Sequence, residues 1–277
     1  MDAVEGNDYS RLPQLELYIE IAPGESCFGH IPALPGLCFR AAAPPELEQR
    51  TPVYLHDYIN WLIIEKLADL NTLVAILAGW SSSADIYQAP VVLKEIKHGS
   101  PVWISGNPAA LFTFDLYPLD DPAVYAHLRF TRHVLRRVSS IIEPIQESLR
   151  AQKPDSEHRS INEMLTHIGN CVWWYCSRID DELPEPDEPA HEAPLKRIER
   201  LLDQAERYLS RVPASERNIV HIPARFKTID PNEQWTHTKV CRRQAEHMWE
   251  HLSELQEIVG KEDEQLTGRL NNPDIPS

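Results

Sequence analysis

The hydrophobic period of this chain changes once, between Leu116 and Asp121, and that change limits the fold more than any other feature of the sequence. Before it, short apolar runs are separated by turn residues. After it, apolar residues recur every three to four positions over segments much longer than a strand. Leu15 to Ile21 alternates apolar and polar residues, the pattern of a half-buried strand. Pro23-Gly24 turns the chain into Cys27 to Ile31, and Pro32-Ala33-Leu34-Pro35-Gly36 leads to a third run, Leu37 to Ala41. The prolines confine this part to strand ends or a sheet edge. Thr51-Pro52 pairs an N-cap residue with a proline at the first helical position and predicts a helix to Leu67. A second helical piece is predicted for Asn71 to Ala78, before the Ser81-Ser82-Ser83 loop, and strands for Val91 to Leu93 and Ala110 to Leu116. Residues 14–117 thus read as an α+β domain.

Asp121-Pro122 repeats the cap-and-proline pattern and opens a helix to about Arg150, in which Pro144 predicts a kink. Helices over Ser160 to Ile179, Leu195 to Leu209 and Thr238 to Gly260 complete an all-α domain over residues 118–260. The acidic, proline-rich Asp180 to Pro194 and the irregular Val212 to Trp235 connect them, and 261–277 is expected to be a loose tail. The switch of period predicts two separate cores.

Composition narrows the function classes. The formal charge is −15, with the acidic excess in both halves, so the basic footprint needed to neutralise a phosphate backbone is missing and no nucleic-acid partner is expected. Five cysteines without a C-x-x-C fit reduced thiols and a cytoplasmic protein. The acidic N-terminus has no apolar h-region, and the best apolar stretch, Trp61 to Trp80, is broken by Glu65, Lys66 and Asp69, so neither a signal peptide nor a membrane partner is expected. A Gly-rich phosphate loop, a nucleophile elbow and H-E-x-x-H are all absent.

Chemistry concentrates in the histidines. Of twelve, only His247 and His251 stand four apart. Four helical residues advance about 400° and about 6 Å, so both imidazoles leave one face and can meet on one ion. His167 lies on the inner face of another predicted helix, in register with Met164, Ile168 and Cys171. Three imidazoles from two helices leave coordination positions open, as in a catalytic site and unlike a closed structural one. Glu163 and Cys171, one turn either side of His167, are candidate supporting groups or substitute ligands, with exposure or core packing the plainer reading. Glu246 and Glu250 are expected on the solvated side, and Trp173, Trp174 and Trp249 in the core. His237, ahead of the last helix, is expected to tolerate replacement.

The same residues resemble a known family. Ser160-Ile-Asn-Glu-Met-Leu-Thr-His167 and Trp235-Thr236 followed by Lys239-Val240, Arg243, Glu246-His247 and His251-Leu252 resemble the second and last helices of DinB-like proteins. The resemblance implies an up-down four-helix bundle in which His167, His247 and His251 bind a divalent transition metal, zinc or nickel. It further implies a small-molecule thiol or other small substrate, for S-transfer or metal-assisted hydrolysis. Residues 14–116, with the Glu16 to Ile21 strand, Gly29-His-Ile-Pro-Ala-Leu-Pro-Gly36 and the helix from Val53 to Leu67, resemble the HicB-like antitoxin-type module. The alternative function is a non-catalytic, partner-docking module with a structural or sensing bundle. A homodimer is compatible with either.

Overall fold

The computed structural model describes residues 14–22, 26–67, 91–98, 110–153, 159–189, 191–224 and 233–271, the last twelve as backbone alone. It has a small mixed sheet followed by a mostly helical region. Strands β1 (Leu15–Ile21), β2 (Cys27–His30), β3 (Cys38–Ala41) and β4 (Val91–His98) lie in the order β3-β2-β1-β4. β1 pairs antiparallel with β2 and parallel with β4. Alternation in β1 predicts one wet face, yet Tyr18 and Glu20 are buried along with Leu15, Leu17 and Ile19. The segment from Ala110 covers that second face: Phe112 and Phe114 meet the Tyr18 ring edge-on, and Glu20 accepts the Ala110 N–H at 3.0 Å. This segment, expected as a strand, is instead irregular with a single 3₁₀ turn at Thr113–Leu116, where the Asp115 carboxylate accepts the Phe112 N–H at 3.0 Å.

Helix α1 (Pro44–Ile64) starts eight residues earlier than the Thr51-Pro52 pattern predicts. Pro44 and Pro45 already fit the first turn, where no N–H partner is needed. Thr51 is not a cap, and its hydroxyl donates to the Leu47 carbonyl at 2.8 Å inside the helix. The predicted helix at Asn71–Ala78 and the Ser81–Ser83 loop lie outside the described residues.

In the helical region, α2 (Asp121–Ile142) is capped by Asp120, whose side chain accepts the Ala123 N–H at 2.8 Å. The expected kink at Pro144 is a stop: α2 ends at Ile142, and one separate turn follows at Glu147–Arg150. A ring without an N–H, pressed against the carbonyl four residues back, ends this helix. Helices α3 (Ile161–Cys176) and α4 (Pro194–Leu209) pack on each other. α5 (His237–Asn271) packs against both α2 and α3, and it runs eleven residues past the expected end at Gly260, into the segment expected to be a loose tail. Among the described residues no helix is long and apolar enough to cross a membrane.

Where the sequence predicts two cores, the main cluster of buried side chains spans both halves, with two small clusters around Phe28 and Phe112 beside it. The main cluster runs from Leu17, Ile19, Leu55 and Tyr58 through Phe130 and Val134 to Met164, Leu202 and Leu252. Gly36 marks the closest approach. Its φ of +83° suits only glycine, and a Cβ there would stand 2.1 Å from the Phe130 ring on α2.

Candidate metal centre

The three histidines singled out in the sequence meet. α5 presents His247 and His251 on one face, and α3, packed beside it, presents His167. The Nε2 atom of His247 lies 3.2 Å from Nε2 of His167 and 3.1 Å from Nε2 of His251. Two nitrogens bound to one ion at about 2.1 Å, with an angle near 100°, stand about 3.2 Å apart, so each of these two spacings fits a pair of ligands on one centre. Cys171, one turn after His167, brings its Sγ to 3.7 Å from the His167 ring nitrogens. Ligand atoms of His167, Cys171 and His247 all fall within 4.8 Å of one another, a group able to hold a metal ion.

Proton bookkeeping favours a cation at this point. The carboxylate of Glu254 accepts Nδ1–H of His251 at 2.9 Å, and that hydrogen bond holds Glu254 below the usual carboxylate range. A neutral His251 with its proton on Nδ1 turns a lone pair towards His247. Nε2 of His247 has one in-plane position, a proton or a lone pair, and faces two nitrogens. It can satisfy only one of them. Protonating the rings is a poor remedy: burial, with the neighbouring positive charges second, lowers the His167 pKa to about 4 and takes His247 well below its ordinary value. A metal ion satisfies three lone pairs at once. The donor set is imidazole with a nearby thiol, which suits zinc or nickel and not magnesium or calcium. Burial raises the Cys171 thiol to about 12, so its metal-free form is the protonated thiol.

A cavity of about 670 Å³ opens over the histidines, and all three line it. Its other walls come from β3 and α1 of the N-terminal half and from Trp249 of α5. Trp249 therefore serves as both core and cavity wall, where the sequence reading places it in the core alone. Trp173 is half-buried, its indole N–H donating to the Pro184 carbonyl at 2.9 Å.

Other expected roles change. Glu163 does not join the centre: its carboxylate closes a capping box with Ser160 and pairs with Lys153 at 3.0 Å. Glu246, expected on the solvated side, is 2% exposed and sits at the middle of a buried ion network. It takes hydrogen bonds from Arg243 at 2.6 Å, from Arg242 at 3.0 Å and from His30 of β2 at 2.8 Å, and Arg242 forms a forked pair with Asp115. These pairings hold the α5 turn before His247 against the sheet. His237 is 1% exposed and bonds the Leu209 carbonyl at 2.9 Å, so the expected tolerance to replacement does not hold. The sequence reading missed Glu254, although its three-residue spacing from His251 puts it within reach on the helix. It also missed His30, Arg242 and Asp115, whose partners lie more than a hundred residues away in two of the three pairings. Comparison of the chain with family models, with curated proteins and with solved structures gives no match.

Proposed function

We propose that the protein is a metal-dependent enzyme of DinB-like organisation, in which His167, His247 and His251 bind one zinc or nickel ion and the cavity above them takes a small substrate. In this reading α2 to α5 form an up-down four-helix bundle over residues 118–260, and residues 14–117 are a HicB-like domain that closes the cavity. The reading rests on one observation: the Nε2 atoms of His167 and His251 each lie 3.1–3.2 Å from Nε2 of His247, at the foot of an open cavity. A closed structural site would be shielded by protein, and an open position beside a cavity is what chemistry needs.

When bound, the ion lowers the pKa of a coordinated thiol or water, so that a thiolate or hydroxide nucleophile exists at neutral pH. S-transfer from a small-molecule thiol and metal-assisted hydrolysis are both compatible with this. The protein's own residues do the positioning. Glu254 fixes the tautomer and orientation of His251. The pairing of Glu246 with Arg242 and Arg243 fixes the helical turn that carries His247. Tyr58 and Trp249 pack edge to face and exclude water from one side of the cavity.

Metal analysis of protein purified without a histidine tag tests the reading. One equivalent of zinc or nickel is expected per chain, and none on His247→Ala. Removing the metal with a chelator should lower the melting temperature of the wild type, since a ligand held only by the folded state adds about 2.7 kcal/mol at one hundred times Kd. Failure to bind either metal when it is supplied would leave a partner-docking module as the function.

A further inference from the structure

We propose that the cavity above the histidines binds a small carboxylate with a flat apolar body, and that Arg159 holds its carboxylate. The inference rests on the metal-dependent reading for part of the charge at the cavity floor, and it names the substrate class of that site.

The flat body follows from the walls. Tyr54 and Trp61 of α1 and Trp249 of α5 line the cavity, and the Trp61 and Trp249 rings meet at 4.8 Å with their planes 70° apart. Ring faces and edges set at such angles take a planar group at small entropic cost, because aromatic side chains have few rotamers to lose. Helix α1 belongs to the N-terminal half and the histidines to the C-terminal half, so the cavity is complete only when both are present.

The carboxylate follows from the charges. Five charged side chains besides Arg159 line the cavity, and three of them are already committed. Arg40 and Glu250 pair with each other at 2.8 Å, and Glu254 is spent on His251. Arg159, just ahead of the Ser160 cap of α3, is exposed and makes no ion pair among the described residues. It lines the same cavity as His167, His247 and His251, eight residues before His167 on the chain's path into α3. Three neutral imidazoles leave the charge of a divalent ion uncompensated, and the Arg159 guanidinium adds to it. A carboxylate answers both, and a guanidinium offers it two parallel N–H donors. The remaining pair, Asp57 and Glu257, are carboxylates, and they make an amine the competing ligand.

Titration calorimetry on the full-length, zinc-loaded protein tests the proposal, with 3-phenylpropanoate, propanoate and phenethylamine as probes and metal content measured on the same samples. We expect 3-phenylpropanoate to bind at least tenfold more tightly than propanoate, and phenethylamine not to bind. Arg159→Gln should weaken 3-phenylpropanoate at least tenfold with metal content unchanged, and Arg159→Lys should recover part of the loss. Zinc bound with phenethylamine preferred, with no probe bound at millimolar concentration, or with an unchanged Kd in Arg159→Gln would overturn the carboxylate site and leave the metal reading intact. Binding that depends on Arg159 in a protein that takes up no metal would do the reverse.

Discussion

Glu254 and His237 show how single residues set the properties of α5. Glu254 holds Nδ1 of His251 through a 2.9 Å hydrogen bond. Removing such a partner from a ligating histidine typically weakens metal affinity 10- to 100-fold. Glu254→Ala is therefore expected to raise the zinc Kd within that range, read by competition with a chelating dye, while the chain stays folded by circular dichroism. His237 gives a pH dependence. Its ring is buried, and burial lowers its pKa to about 4, against the hydrogen bond to Leu209. An unfolded chain takes up a proton on this ring below about pH 6.5, but the folded one does not until about pH 4. The unfolded state thus binds more protons in that window, and the contribution of the neutral ring is lost as pH falls through it. At about 1.4 kcal/mol per pH unit, the stability advantage of wild type over His237→Gln should shrink by about 2 kcal/mol from pH 7 to pH 5, in urea melts with chelator present. A gap that stays constant or widens would exclude a neutral buried ring.

At the scale of elements, caps and ion pairs fix where the site-bearing helices begin and how they face. The capping box of Ser160 and Glu163 sets the first turn of α3, two turns before His167. Ser160→Ala should cost about 1 kcal/mol in thermal or urea unfolding, and leave metal content unchanged. The Glu246 network is the costlier element to disturb. Glu246 is held well below the usual carboxylate range by Arg242, His30 and Arg243, which together outweigh the burial that would raise it. Glu246→Ala would leave two buried guanidinium groups with Asp115 on Arg242 and only the longer 3.4 Å contact to Glu250 on Arg243, a loss of compensation expected to cost about 3 kcal/mol. Glu246→Gln, which keeps the shape and some of the hydrogen bonds, should cost less. Equal stability of wild type and Glu246→Ala would show that the network carries no net weight.

For the whole molecule, the continuous core and the ion network that crosses it make the two halves interdependent. Residues 118–277 expressed alone should fail to fold cooperatively, because Phe130, Trp249 and the Arg242–Glu246 pair lose the partners that Gly36, Tyr58 and His30 supply. A soluble fragment with a sharp melting transition would show that the shared core is dispensable. What the sequence determined by itself lies in local periodicity and capping. The seven-residue alternation places β1, the 3.6-residue period places α3, α4 and the start of α5, and four-residue spacing puts His247 and His251 on one face. Each of these depends on neighbours within one or two turns, which a sequence displays directly. Where local signals competed, the reading failed: Thr51-Pro52 has the form of a helix start, and only the packing of Leu47 beneath Gly29 shows why α1 begins at Pro44. Tertiary structure alone decided that the halves share one core, that Glu246 is buried, and that α1 walls the cavity over the histidines. The physical reason is distance along the chain. His30 and Glu246 are 216 residues apart, and burial and pairing across such a separation follow from how whole faces pack, which no local period encodes.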